Sequence, residues 1–356
     1  MDRQAKARIL LLGSGMLWGT FPVIMRRLYS LPGPTLAPVF ITAVRYGLMA
    51  IIVVTFMLVR RPTSRGIDIP AMMNAAAEIG TIGEFANILS TMGLSGVPAV
   101  LAETLLGTVH VFVPLQTWIL IGSDRLGART VVACCLSFCA VLTGAAMGEQ
   151  TALSGNAIPK WSLLVLVAAA WCYGLMRVRI EHHLRRGHDA FALAGARIVA
   201  MGLLGLLLVG IDVLSGGASA GTLGNVSRIT TAQWAWLAVS CLLSGLGGSL
   251  LHFQAQALVP AANAQPFFAL TPVYAAGWTW LILDEPLPPT LLVSACVMIA
   301  GALLAASEGR AARLERGTVS KSGASDGLPA GSLLPRSTVA FHEDHASSSA
   351  GKVHAV

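Results

Sequence analysis

The chain has 356 residues, 55% of them hydrophobic and only 12% charged, where a soluble domain carries about a quarter charged residues. So few charges cannot cover that much apolar surface in water, so a soluble domain is excluded and a bilayer is the expected solvent. The 24 Lys and Arg exceed the 17 Asp and Glu, giving +7, but they stand singly or in pairs between apolar runs, a pattern that orients a membrane protein and does not make the basic face a nucleic acid needs.

In chain order, apolar runs predict spans at 9–29, 36–59, 72–93, 97–121, 127–147, 162–180, 190–214, 233–258, 262–283 and 288–306. Each approaches the roughly 20 residues a helix needs to cross about 30 Å of hydrocarbon. The expected fold class is therefore an all-α membrane protein with ten transmembrane helices. Residues 1–8 read as a cytoplasmic N-terminus: Arg3, Lys6 and Arg8 precede the first span, and no small-residue cleavage site follows it, so that span is expected to stay as its own insertion signal. With this end inside, the inner segments hold about twelve Lys and Arg and the outer ones about four, Arg26, Arg27, Lys160 and Arg228, which places both termini in the cytoplasm. Trp161, Trp234, Trp236 and Trp280 fall near outer helix ends and Trp118 near an inner one, as interfacial aromatics do.

Residues 148–161 form an outer linker. The Ser-, Gly- and Ala-rich stretch 307–356 is expected to be a disordered cytoplasmic tail, since it has too little apolar surface to offset ordering entropy. Ser215 to Arg228 reads as a lesser version of it on the outer side. Cys134, Cys135, Cys139, Cys172, Cys241 and Cys296 all lie inside spans and read as small buried apolar residues, not as a disulfide framework or a zinc site.

The two halves echo each other. Trp18-Gly19 is answered by Trp171 and Gly174, Arg45 by Arg197, Pro98 by Pro260, Pro114 by Pro272, Trp118 by Trp278 and Gly144 by Gly301, in the same order and at offsets of about 152 to 162. Each half holds five spans, an odd number, so the halves must insert with opposite orientation as two inverted five-helix repeats. Such folds place the substrate at the repeat interface near the bilayer midplane.

The end of the second half, Thr271-Pro272-Val273, then Trp278, the turn Asp284-Glu285-Pro286 and an apolar run containing Gly301, resembles the close of an EamA-type repeat of the drug/metabolite transporter superfamily. The resemblance extends over about residues 9 to 306, with 9–147 as a first EamA-like repeat and 162–306 as a second that matches better. The first repeat departs from the pattern, carrying Asp124-Arg125 where the second has Asp284-Glu285. The resemblance implies a transporter that moves a small metabolite by alternating access, in export or exchange, and no enzymatic activity. A channel-like or scaffolding membrane protein is the alternative reading, and an intramembrane hydrolase a more remote one.

Charged and polar residues inside spans are the candidates for a site, because each is costly in hydrocarbon unless it faces a partner or a cavity. Among the bases only Arg45 and Arg197 fall well inside apolar runs, and they are the repeat-related pair; they serve either fold support or substrate contact. Glu78, Glu84 and Glu103 are the intramembrane acids, with Glu78 near an inner helix end. His110 lies on nearly the same helix face as Glu103, and Gln265 stands where the second half would repeat Glu103. A carboxyl group taken out of water favours its neutral form, the minimum equipment for proton-coupled exchange. Trp18, Trp171 and Tyr274, with Asn263, Phe268, His252 and Gln256, offer stacking and hydrogen bonds. The expected substrate-binding set is Trp18, Arg45, Glu84, Glu103, His110, Trp171, Arg197, Gln265 and Tyr274: an anionic substrate would follow from the arginines, a cationic or zwitterionic one from the acids. Gly13, Ser14, Gly15 and Gly19 on the first helix and Ser244, Gly245, Gly247, Gly248 and Ser249 on the eighth permit close helix packing.

Two patterns imitate other chemistry. Glu181-His182-His183 with His188-Asp189 has the composition of a metal site but sits in a basic turn. Gly93-Leu94-Ser95-Gly96 has the shape of a serine-protease motif but falls in a short outer loop. No Walker sequence is present. No cofactor and no metal are expected. The expected partners are a small-molecule substrate, the lipid bilayer, protons as a coupling ion and a second copy in a homodimer.

Overall fold

The computed structural model describes residues 3–60, 68–121 and 159–284, with isolated helical positions between 128 and 139 and between 293 and 304. The expected spans 127–147 and 288–306, most of the 148–161 linker and the tail from 307 lie outside the described residues, apart from those isolated positions. Every element among the described residues is helical. In order they are α1 (Arg3–Trp18), α2 (Thr20–Ser30), α3 (Pro38–Arg60), α4 (Ile69–Leu94), α5 (Ala99–Leu106), α6 (Val109–Ile121), α7 (Lys160–Arg185), α8 (Ala190–Leu214), α9 (Ala218–Gly224), α10 (Thr231–Ser240), α11 (Gly248–Gln256), α12 (Ala261–Phe268) and α13 (Thr271–Leu283). A π-helical turn, Cys241–Gly247, joins α10 to α11. Among the described residues six stretches are long and apolar enough to cross a bilayer: Arg3–Ser30, Pro38–Val59, Ala99–Leu120, Lys160–Arg185, Ala190–Leu214 and Thr231–Gln256.

Local chemistry sets the boundaries. Asp68 and Asp189 cap α4 and α8 by accepting from the Ala71 and Ala192 amides at 3.1 and 2.8 Å, and Thr230 and Gln233 form a reciprocal capping box on α10, each arrangement satisfying amides that a helix start leaves free. Chain turns past the helix ends use left-handed residues, Gly187, Gly216 and Asp284; Asp tolerates that conformation better than most side chains.

The helices turn large apolar side chains outward as well as inward, which a protein in water does not do, and they place small and polar residues where they meet. On α8, Leu203, Leu206, Leu207 and Leu214 are exposed while Ala194, Arg197, Gly202 and Gly205 are buried. Without a hydrophobic drive between helices, close packing holds such a bundle together. Gly202 and Gly205 let α8 lie directly on α3: a Cβ on Gly202 would stand 2.9 Å from the Tyr46 carbonyl oxygen, and one on Gly205 2.9 Å from Ala43 Cα. Across the bundle, the Ser14 hydroxyl donates to the Gly248 carbonyl at 2.8 Å, pinning α1 to α11.

Four of the expected continuous spans are interrupted. Gly19 separates α1 from α2, Gly107-Thr108 separates α5 from α6, Ala269-Leu270 separates α12 from α13, and the π turn divides α10 from α11. The matching pairs are alike in detail. Pro98 and Pro260 precede α5 and α12, each of 8 residues, and after the break α6 and α13 each run for 13. Arg45 and Arg197 stand at the same distance from their helix starts, Pro38 and Ala190.

One expectation is corrected outright. Ser215 to Arg228 is not a miniature tail but forms α9 and a 3-10 turn at Val226–Arg228. Its residues find partners that composition does not reveal: Asp212 accepts from the Ser219 amide at 2.8 Å, and Thr222 accepts from the Ala37 amide at 3.0 Å. The cysteines also divide. Cys241 is buried, while Cys135, Cys139 and Cys296 are exposed on outward helix faces, where lipid replaces protein packing.

Candidate functional site

The four interruptions converge on one cavity of about 90 Å³, room for more than a single water. Trp18 and Phe21 flank the first break, Gly107 and Val109 the second, Ser244 lies in the π turn, and Phe268 and Thr271 flank the last. Helices α3, α4, α7 and α8 supply Arg45 and Tyr46, Asn87, Tyr173 and Arg177, and Arg197. Breaks allow a helix to present side chains and backbone to a cavity at membrane depth, which is where irregular backbone is tolerated.

Three guanidinium groups dominate the lining. Arg45, Arg177 and Arg197 are 2%, 7% and 3% exposed. Each is held by the face of aromatic rings: Arg45 lies 4.5 Å over Phe21 and 5.7 Å over Tyr46, Arg177 4.7 Å over Phe268 and 5.2 Å over Trp18, and Arg197 5.7 Å over Phe253. Stacking on a π face stabilises the cation without using its in-plane donors. Some of those donors are engaged. Arg45 Nη2 donates to Ser244 Oγ at 3.2 Å, whose hydroxyl in turn donates to the Ser240 carbonyl. Arg177 Nη1 donates to Gln265 Oε1 at 2.7 Å. The Nε of all three, and Nη1 of Arg45, are buried without a partner among the described residues.

Acids are fewer. Glu103 on α5 lines the cavity. Glu84 is fully buried on α4 behind it, against Gly205 of α8, and neither carboxylate oxygen has a hydrogen-bond partner among the described residues. It neither lines the cavity nor reaches Arg45 directly.

The remaining expected residues fall as follows. His110 lines the cavity, its Nδ1 3.3 Å from Gln265 Oε1. Gln265 is buried behind it as a bracket between His110 and Arg177, its own amide donating to the Ala261 carbonyl at 2.8 Å. Trp18 stacks on His252 and Phe268 at 4.7 and 5.2 Å. Trp171 does not join them. It is 43% exposed, edge-on to Phe112 at 5.2 Å, because α7 turns Tyr173, Met176 and Arg177 inward and leaves Trp171 on the outer face. Tyr274 packs beside Gly15 and Gly19, half-buried and outside the lining.

Arg177, one of the bases near the inner end of the expected sixth span, lies at the centre of the cavity wall. The helix runs on to Arg185, so Arg177 lies a full turn and more before its end. The available signal was spacing, since Tyr173, Arg177 and Glu181 recur every four residues and so share one helix face.

The metal-like and protease-like patterns have structural duties. Glu181 Oε2 accepts from the Ala261 amide at 2.8 Å, capping α12, while Glu181 Oε1 pairs with Arg185 at 2.6 Å. Glu78 on α4 pairs with Arg179 and, at 2.9 Å, with His183, both on α7. Among the described residues no three His, Cys, Asp or Glu are gathered closely enough to hold a metal. Ser95 is exposed at the end of α4 and its hydroxyl donates to the Met92 carbonyl at 2.7 Å, away from the cavity that His110 lines.

A bundle of apolar-faced helices, broken at the level of a basic, aromatic-lined cavity, has the construction of a solute carrier. The EamA-like transporter family matches residues 5–143 and 160–307, and the chain belongs to that family: it is an integral, multi-pass membrane protein of a transporter family whose two repeats both contribute to the cavity. No curated relative matches the chain. A crystal structure titled only as that of a protein is similar in fold, with a TM-score of 0.63, 16% identity, 87% of this chain covered and 99% of the other.

Proposed function

We propose that this protein moves a small metabolite across a membrane by alternating access, the two repeats being inverted relative to each other within a ten-helix bundle and both termini lying in the cytoplasm. The observation that carries the proposal is the cavity itself: four interrupted spans meet there, two from each repeat, with buried charges that only a solute or a partner could repay. Export or exchange is the expected direction, with Glu103 as the proton-linked group, because it is a carboxyl group placed where solute would bind. Arg45, Arg197, Arg177, His110 and Trp18 are the proposed contacts, with Gln265 positioning Arg177 and Glu84 buried apart from the cavity. Trp171 and Tyr274 stand outside that set on their placement.

Reconstitution tests it. Purified protein in liposomes should catalyse saturable counterflow, in which unlabelled solute inside accelerates entry of labelled solute from outside. Flux that rises linearly with concentration and shows no counterflow would favour a channel and sink alternating access.

A further inference from the structure

Resting on that transport reading, we infer that the solute is an organic monoanion, a carboxylate carried on a planar apolar body, held edge-on by the Arg45, Arg177 and Arg197 guanidinium groups. Charge within the bundle is unequal. Three arginines, each more than nine-tenths buried, share the cavity lining with one acid among the described residues, Glu103. Buried cations that lack a full complement of acids are strongly unfavourable, so the wall favours a negatively charged ligand.

The geometry of the donors agrees with the count. The N–H donors of a guanidinium lie in its plane, and aromatic rings already flank all three cations, so the in-plane edges are what a ligand can use. The unpartnered atoms are edge donors, the three Nε and Arg45 Nη1. Two parallel N–H groups on one guanidinium edge match the two oxygens of a carboxylate. A cationic amine finds no such reception, since the one acid among the described lining residues, Glu103, shares the cavity with all three arginines. The body of the solute is described by the rest of the wall: Trp18, Phe21, Tyr46, Tyr173 and Phe268 present ring surface, which suits a flat apolar group and not a polyhydroxylated one. A phosphate monoester offers similar oxygens, but its second negative charge would meet the Glu103 carboxyl group in the same cavity.

Phenylacetate, phenethylamine and phenyl phosphate separate these cases. Full-length protein in detergent is heated with each at millimolar concentration, and unfolding is followed by tryptophan fluorescence. Phenylacetate should raise the midpoint in a concentration-dependent way, phenethylamine should not, and phenyl phosphate should act more weakly. Arg177→Gln and Arg45→Gln should weaken phenylacetate binding by about tenfold to a hundredfold, the range for losing hydrogen bonds to a charged group. Arg177→Lys, which keeps the charge but not the fork, should weaken it by about tenfold if the edge contact is real; it also guards against misfolding of the glutamine variants. Arg27→Gln, on an exposed part of α2, should bind as the unaltered protein does. Stabilisation by phenethylamine, preference for phenyl phosphate, or phenylacetate binding unaffected by all three substitutions overturns the inference. Phenylacetate binding without counterflow in liposomes would instead count against the transport reading and leave the anion site standing, whereas counterflow of phenethylamine without phenylacetate binding would do the reverse.

Discussion

Glu103 and Glu84 illustrate how two carboxyl groups in one membrane bundle come to different uses. Glu103 lies in the cavity wall, whereas Glu84 is sealed between α4 and α8 against Gly205. If Glu103 couples solute to protons, Glu103→Gln should abolish accumulation driven by a pH gradient while sparing exchange at equal pH on both sides. Measuring uptake with and without the gradient checks this, and gradient-driven accumulation that persists in the variant would remove Glu103 from coupling. Of the site, the arginine pair was readable in the sequence because a base in an apolar run is conspicuous and each had a repeat mate. Arg177 was not, because a base near the end of a span looks like an orientation signal until the helix is seen to continue. Trp171 misled in the other direction. A repeat in sequence preserves identity but not facing, and α7 runs unbroken where its counterpart is divided at Gly19, so the two tryptophans need not point the same way.

At the scale of the helix, hydropathy located the spans well and their interruptions poorly. Residues 97–121 and 262–283 read as continuous apolar runs, yet each is two helices. Pro272 could have marked the second break, being at the start of α13 where its missing N–H costs nothing; Pro114 lies inside α6, past the break it accompanies. Close packing of α8 on α3 gives a sharp test. Gly205→Ala would press a methyl against Ala43 Cα and Glu84 Oε1, a cost of about 1 to 3 kcal/mol for overpacking, and should lower the unfolding midpoint in detergent. Gly210→Ala on the same helix meets nothing within 4 Å and should leave the midpoint unchanged or slightly raised. Equal midpoints for the two variants would contradict the packing. A second test concerns the junction of α4 and α7, where Glu78 meets Arg179 and His183 with its side chain 35% exposed. An ion pair that accessible contributes little to stability, about 0 to 1 kcal/mol. Glu78→Gln should therefore leave the midpoint nearly unmoved, and a marked drop in the midpoint would mean that the pair contributes more than its exposure allows.

For the whole molecule, composition alone identified the solvent and the internal echo identified the two repeats, because the bilayer constrains a chain so tightly that length and polarity suffice. What lay beyond it was the way separate halves share one cavity, since contacts such as Ser14 with Gly248 or Arg177 with Gln265 join residues far apart in sequence. Orientation is open to direct measurement. In sealed vesicles of one orientation a protease should reach tags at the two ends together or not at all; access to one tag alone would break the ten-span, inverted arrangement.

The carboxylate of Glu181 ties the far end of α7 to the first amide of α12. Those two segments are thereby yoked, so a tilt of one is handed to the other as by a connecting rod. If the repeats rock as proposed, movement of the half-helix against its continuation must be absorbed at Ala269-Leu270, and stiffening the backbone at that short joint should stall transport.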